Sequence, residues 1–186
     1  MWQLPELREL VVRGADIELG AIEHDALERL EIETAGLAQA TARQLAAAKL
    51  PRLRHLDIYY GGPDYGGSAE LADVRALLER RDFPVLAHLG LKNTSMSDAI
   101  CELLPRSPLA AQLGELDLSL GTLTAAGARA LIANRRAFGA LATIDVSKTY
   151  IDDAALVALR AAFPTVIAHE LRPDDGPDER YVALGE

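Results

Sequence analysis

One feature constrains the fold of this chain more than any other: the pattern Leu-x-x-Leu-x-Leu, with conservative replacements, recurs along nearly its whole length. It appears as Leu7/Leu10/Val12, Leu27/Leu30/Ile32, Leu53/Leu56/Ile58, Leu86/Leu89/Leu91, Leu113/Leu116/Leu118 and Leu141/Ile144/Val146. A degenerate seventh copy reads Val166 and Leu171, with His169 in the place of the middle leucine. The first positions are spaced by 20, 26, 33, 27, 28 and 25 residues. Ten residues after the first leucine, five copies carry a further apolar residue: Ile17, Leu37, Met96, Leu123 and Ile151. A single Leu-x-x-Leu proves nothing, since any helix supplies one. Aligned columns across copies describe a unit that cannot bury its own apolar side and must stack on its neighbours.

The alternation in Leu-x-Leu has a period of two, which suits a short strand with one buried face. It predicts successive strands of one parallel sheet at 7–12, 27–32, 53–58, 86–91, 113–118 and 141–146. After each strand the spacing turns helical, as in Leu71/Val74/Leu77/Leu78, Ile100/Leu103/Leu104, Ala128/Leu131/Ile132 and Leu156/Leu159. Ser97, Thr124 and Asp152 stand where capping residues mark helix starts. Pro5, Pro51, Pro84 and Pro164 precede strands and hold an extended approach. The first unit is too short for a strand, a helix and two connections, so it carries only a turn or a helical fragment.

These residues closely resemble the leucine-rich repeats of the ribonuclease-inhibitor type, best in the segment Leu116-Asp117-Leu118-Ser119-Leu120-Gly121-Thr122-Leu123-Thr124-Ala125-Ala126-Gly127-Ala128. The resemblance implies an α/β leucine-rich-repeat solenoid, a horseshoe with the parallel sheet on its concave face and helices on its convex face. It also implies protein binding through the concave face. The expected repeat domain is 1–172, followed by an acidic C-terminal tail at 173–186 in which Arg180–Leu184 offers a final short strand. The chain departs from the family pattern where a ladder asparagine is usual. Ala35, Gly61, Thr94, Gly121 and Thr149 stand there, so the turns must satisfy their backbone otherwise.

Composition narrows the function. Lys and Arg total 19 against 28 Asp and Glu, a formal charge of −9, which repels phosphate and argues against nucleic acid. Glu6, Arg8, Glu9, Arg13, Asp16 and Glu18 exclude a signal-peptide core. No apolar run approaches the roughly 18 residues a membrane helix needs. The single cysteine, Cys101, favours a reducing compartment, and the expected localisation is cytoplasmic. At the other end of the argument, nothing clearly polar caps the first strand. Either Trp2 and Leu4 cover it, or the chain is an excerpt of a longer protein, or the edge is a self-association surface that competes with a monomeric state.

Residues flanking the middle leucine form rows across neighbouring strands. The first row reads Glu9, Arg29, His55, His88, Glu115, Thr143; the second Val11, Glu31, Asp57, Gly90, Asp117, Asp145, Glu170; the third Arg13, Glu33, Tyr59, Lys92, Ser119, Ser147, Arg172. The second row is mostly acidic and suits a cationic protein partner, or else its carboxylates bond Ser119 and Ser147. His55 and His88 are expected neighbours close to Asp57, a weak metal-ligand set. The insertion Tyr59-Tyr60-Gly61-Gly62-Pro63-Asp64-Tyr65-Gly66-Gly67-Ser68 accounts for the 33-residue spacing and places three tyrosines in a Gly-rich segment, either a binding loop or a tolerated surface insertion.

The expected partner-binding residues are therefore Glu31, Asp57, Tyr59, Tyr60, Tyr65, His88, Glu115, Asp117 and Asp145. No cofactor motif is present, and no Gly-x-Ser-x-Gly or His-Glu-x-x-His occurs. Cys101 reads as core rather than nucleophile. The expected function is a non-enzymatic protein-interaction module or scaffold. The alternative is a recognition arm of a larger bacterial effector or enzyme whose catalytic domain lies elsewhere.

Overall fold

Short β-type runs whose connections return to the same end of a sheet pair with a parallel neighbour, and the seven strands of this chain do so six times. The computed structural model describes residues 4–184. Its strands are β1 (Glu9–Arg13), β2 (Arg29–Glu33), β3 (His55–Gly61), β4 (His88–Thr94), β5 (Glu115–Asp117), β6 (Thr143–Asp145) and β7 (Thr165–Ile167). They form one parallel sheet in chain order. Five helices follow β2 to β6: α1 (Gln39–Ala46), α2 (Leu71–Leu78), α3 (Ser97–Leu103), α4 (Ala125–Ala133) and α5 (Asp153–Ala162). Each helix packs on the next, from α1 through α5. Between β1 and β2 no helix occurs among the described residues, as the 20-residue spacing requires.

The middle leucine column is the spine of the core. Leu30, Leu56, Leu89, Leu116 and Ile144 pair in register and are at most 2% exposed. They share one apolar cluster with Leu45, Val74, Leu77, Ile100, Leu104, Leu131 and Leu159 from the helices. Cys101 is buried in this cluster, where burial pushes its thiol well up from the usual range. It is core, unsuited to a thiolate nucleophile.

Strand pairing begins two residues later than the repeat pattern predicts. In the first and the third to sixth copies the first leucine closes a turn before the strand, as in Leu53 N–H to Leu50 O (3.1 Å) and Leu113 N–H to Leu109 O (3.3 Å). The seventh copy needs a larger correction. Val166 pairs with Ile144 and so occupies the middle position, which the sequence reading assigned to His169. Backbone conformation supports this register. Asn93, Leu120, Lys148 and Glu170, four residues after Leu89, Leu116, Ile144 and Val166, all have φ between 52° and 69°. Glu170 thus belongs to the turn, not to the acidic row, where Ile167 stands beside Asp145.

Thr124 and Asp152 do cap their helices, accepting from the amides of Ala126 and Ala155. Ser97 does not; it is the first residue of α3, and its hydroxyl donates to Thr94 O at 2.9 Å. In place of ladder asparagines, backbone carbonyls of one turn accept from amides of the next. Gly62 N–H reaches Ala35 O (3.0 Å), Thr122 N–H reaches Thr94 O (3.0 Å) and Arg172 N–H reaches Thr149 O (2.8 Å). The Gly-rich insertion is drawn into this contact. It folds onto the preceding turn through a bridge between Gly36 and Gly61, and Tyr60 is 3% exposed in the core. Gly61 has φ +68°, and a Cβ there would lie 1.6 Å from Ala35 O.

Among the described residues the tail from 173 onward adds no strand. Apart from one 3-10 turn at Pro177–Glu179, it runs back across the strand exits. Tyr181 N–H donates to the Tyr150 hydroxyl (3.0 Å), Ala183 N–H to Leu120 O (2.8 Å), and Leu184 N–H to Asn93 Oδ1 (2.9 Å). Asn93 Nδ2 returns a bond to Leu184 O at 3.0 Å. Val182, within this strap, is buried. The first-strand cover expected from Trp2 lies outside the described residues, while Leu4 is 64% exposed.

Two outcomes test this architecture. Gly61→Ala should destabilise the protein by at least ~2 kcal/mol in urea unfolding, through a disfavoured φ and a backbone clash. Asn93→Ala should cost about 1–3 kcal/mol, because it removes both bonds to Leu184 and an asparagine tolerant of positive φ. Amide exchange at Leu184 should accelerate in the same variant.

Candidate functional site

The strand register gathers polar side chains on the sheet face opposite the helices. His55 and His88 pair directly, and their rings stack with centroids 3.7 Å apart and planes 7° from parallel. Asp57 lies between them and accepts from His55 Nε2 and His88 Nε2, each at 2.9 Å. A carboxylate only accepts, so both Nε2 atoms carry protons. His88 Nδ1 also faces a carboxylate, Glu115 Oε2 at 2.9 Å, so the protonated ring can donate from both nitrogens. Gly90 makes the arrangement possible: a Cβ at that position would lie 1.9 Å from Asp57 Oδ1.

Burial opposes these charges and the pairing overrides it. Burial alone raises the Asp57 carboxyl, but hydrogen bonds from both histidines and the charge of Lys92 hold it far below the usual carboxylate range. Burial lowers His88, yet the bonds to Asp57 and Glu115 raise it above an ordinary histidine. A second ion pair adjoins the first. Lys92 Nζ lies 2.8 Å from Asp117 Oδ2 and 4.9 Å from the centre of the Tyr59 ring. Burial works against this ammonium, and Asp117 with Asp57 more than offsets it.

This network changes the reading of the candidate residues. Asp57 is 4% exposed and saturated by two histidines, so it is not offered to a cationic partner. Tyr60 belongs to the core, and Tyr59 is 8% exposed beneath Lys92, so neither closes over a ligand. Tyr65 is 51% exposed but lies beside Gly36, with Arg13 and Leu184 nearby in the same shallow cleft, away from the histidines. The other acids sit on the open face. Glu31 is bonded by Arg29 at 2.9 Å, and Asp117 and Asp145 each accept a backbone bond, from Ser119 N–H (2.9 Å) and Ser147 N–H (2.8 Å). Glu115 is exposed apart from its bond to His88.

Gly90 and Lys92 stand in the rows read from the sequence but were given no part in the expected site. The available signal was a glycine inside a row of polar residues, beside a lone lysine diagonal to two aspartates. His55, Asp57 and His88 do bring three ligand-type atoms within 4.8 Å of one another. An ion held by both Nε2 atoms must lie near both ring planes, which two stacked, parallel rings do not permit. The rings would have to splay and give up their bonds to Asp57 before sharing a metal.

No helix in the described residues is long and apolar enough to cross a membrane. No family model matches the chain. The search of curated proteins gives no match either. Among solved structures, the chain is similar to the crystal structure of a protein from Bacteroides fragilis, with 26% identity and a TM-score of 0.82. The likeness covers 90% of this chain and 47% of that one, so the chain spans about half the length of the structure it matches.

The histidine network makes stability depend on pH in a defined sense. The His88 contribution is full below about pH 6.5 and is lost as pH rises through its elevated folded value. The Asp57 contribution is full above about pH 3.9 and is lost as pH falls toward its depressed folded value. The protein should therefore have a higher urea midpoint at about pH 5.5 than at about pH 8.5. His88→Gln should shrink that difference, measured by denaturation at both pH values.

Proposed function

We propose that this chain is a leucine-rich-repeat solenoid of the ribonuclease-inhibitor type and acts as a non-catalytic recognition module, docking a protein on its concave sheet face. The observation that supports this most is the division of the sheet. One side packs into the helix layer, while the other carries Arg29, Glu31, His55, His88, Glu115, Lys92, Thr143 and Asp145 with no helix over it among the described residues. Polar groups held rigidly on strands, with their rotamers restrained by neighbours, suit selective binding more than proton transfer to a substrate.

The internal pairing of Asp57 and Asp117 moves the partner away from the purely cationic surface that the acidic row suggests. Among the described residues no lysine or arginine pairs Glu115 or Asp145, which remain available to a donor, and Arg29, whose side chain is 36% exposed beside Glu31, offers a cation on the same face. A partner with mixed charge, matched across β2 to β6, is the natural complement. Its encounter would be steered by charge, and its specificity set by register.

A partner purified after capture should bind the Glu115→Lys/Asp145→Lys variant at least about tenfold more weakly than the unchanged chain. Charge reversals on the helix layer, Arg129→Glu/Arg160→Glu, should leave affinity unchanged. Titration calorimetry showing the opposite pattern would move the site to the helices.

A further inference from the structure

At its β1 end the repeat column is left open among the described residues. Leu4, Leu7, Leu10, Val12, Ile17 and Leu19 line a groove across this end, and Leu10 and Val12 are only half-buried. Their counterparts Leu30 and Ile32, one strand further in, are 0% exposed. Among the described residues no strand pairs with the outer edge of β1. Val11, with its side chain on the open face, is 52% exposed.

The geometry of this edge points to a second copy of the same chain: we propose that two molecules associate through antiparallel pairing of β1 with β1, centred on Val11. The hydrogen-bonding phase permits it. Arg8 O accepts from Arg29 N–H (2.9 Å) and Gly14 N–H donates to Glu33 O (3.1 Å), so even-numbered residues of β1 turn their backbone toward β2. The N–H and C=O groups of Glu9, Val11 and Arg13 then point outward, since successive residues alternate. About a two-fold axis at Val11, these three form hydrogen-bonded pairs: Val11 with its symmetry mate, and Glu9 with Arg13 of the other copy.

The side chains fit the same axis. In the strand Glu9-Leu10-Val11-Val12-Arg13 the charges are opposite and equidistant from the centre. On the open face, each Glu9 meets an Arg13 across the junction, flanking a contact between the two Val11 side chains. Arg13 is already held by Glu33 at 2.5 Å, so it enters the pairing oriented. On the other face Leu10 stands opposite Val12, and the two half-open cores cover each other. The far edge, β7, is three residues long and carries no charge in Thr165–Ile167. The self-complementary pattern is therefore particular to β1. A closed two-fold contact consumes both β1 edges and ends growth there.

Sedimentation of the full chain should show dimers whose population rises with concentration. Glu9→Arg places arginine opposite arginine, and Arg13→Glu places glutamate opposite glutamate. Each variant alone should dimerise at least about tenfold more weakly. An equimolar mixture of the two should associate again, because every cross-strand pair in the heterodimer is opposite in charge. In the unchanged chain, amide exchange at Glu9, Val11 and Arg13 should slow as concentration rises, a readout that holds even where a variant fails to fold. A monomer up to about 100 µM would overturn the proposal. So would a dimer indifferent to both charge reversals, or exchange at those amides that ignores concentration.

Discussion

Everything in this fold depends on the fact that one strand–helix unit has an apolar side it cannot cover alone. Burial of an aliphatic side chain stabilises by about 1.5–3 kcal/mol, and here that gain exists only when the next unit is in place. Leu56 is buried because Leu30 and Leu89 flank it, and the same holds along the column. Stability is thus shared between neighbours rather than held in any single repeat. The ends, which have one neighbour each, carry whatever the interior does not need.

That logic accounts for the two most unusual regions. At the C-terminal side the chain doubles back, and its tail satisfies turn groups of three earlier repeats through Tyr150, Leu120 and Asn93. At the β1 side no comparable strap exists in the described residues, and Leu10 and Val12 remain half-open. The Gly-rich insertion serves the same purpose within the array. Its glycines let one turn lie against the backbone of the previous one, closer than any Cβ allows.

The open face shows how register converts spacing into chemistry. Two histidines 33 residues apart become stacked partners because their strands pair in phase, and Gly90 leaves the room that lets Asp57 reach both. The result is a polar surface whose charges are mostly settled internally. Such a surface is rigid, and its acidity is much less exposed than a count of carboxylates implies.

The sequence by itself determined the parallel repeat, the order of strands and helices, the missing first helix and the neighbours across β1 to β6 in the first two rows. These follow from periodicity and spacing, which are local and additive. It placed Asp57 and Tyr59 among binding residues because alternation says which way a side chain points, not what lies above it, and Tyr60 because it stands in the Gly-rich insertion. Only the tertiary structure decided that Tyr60 enters the core, that Lys92 covers Tyr59, and that Asp57 is enclosed by two imidazoles. The seventh register and the returning tail were hidden for a related reason. Val166 was displaced from its true position by a residue count, whereas pairing with Ile144 is set by hydrogen bonds between strands. The tail holds to residues about 90 positions earlier, and no pattern within a few residues of Leu184 encodes a contact with Asn93.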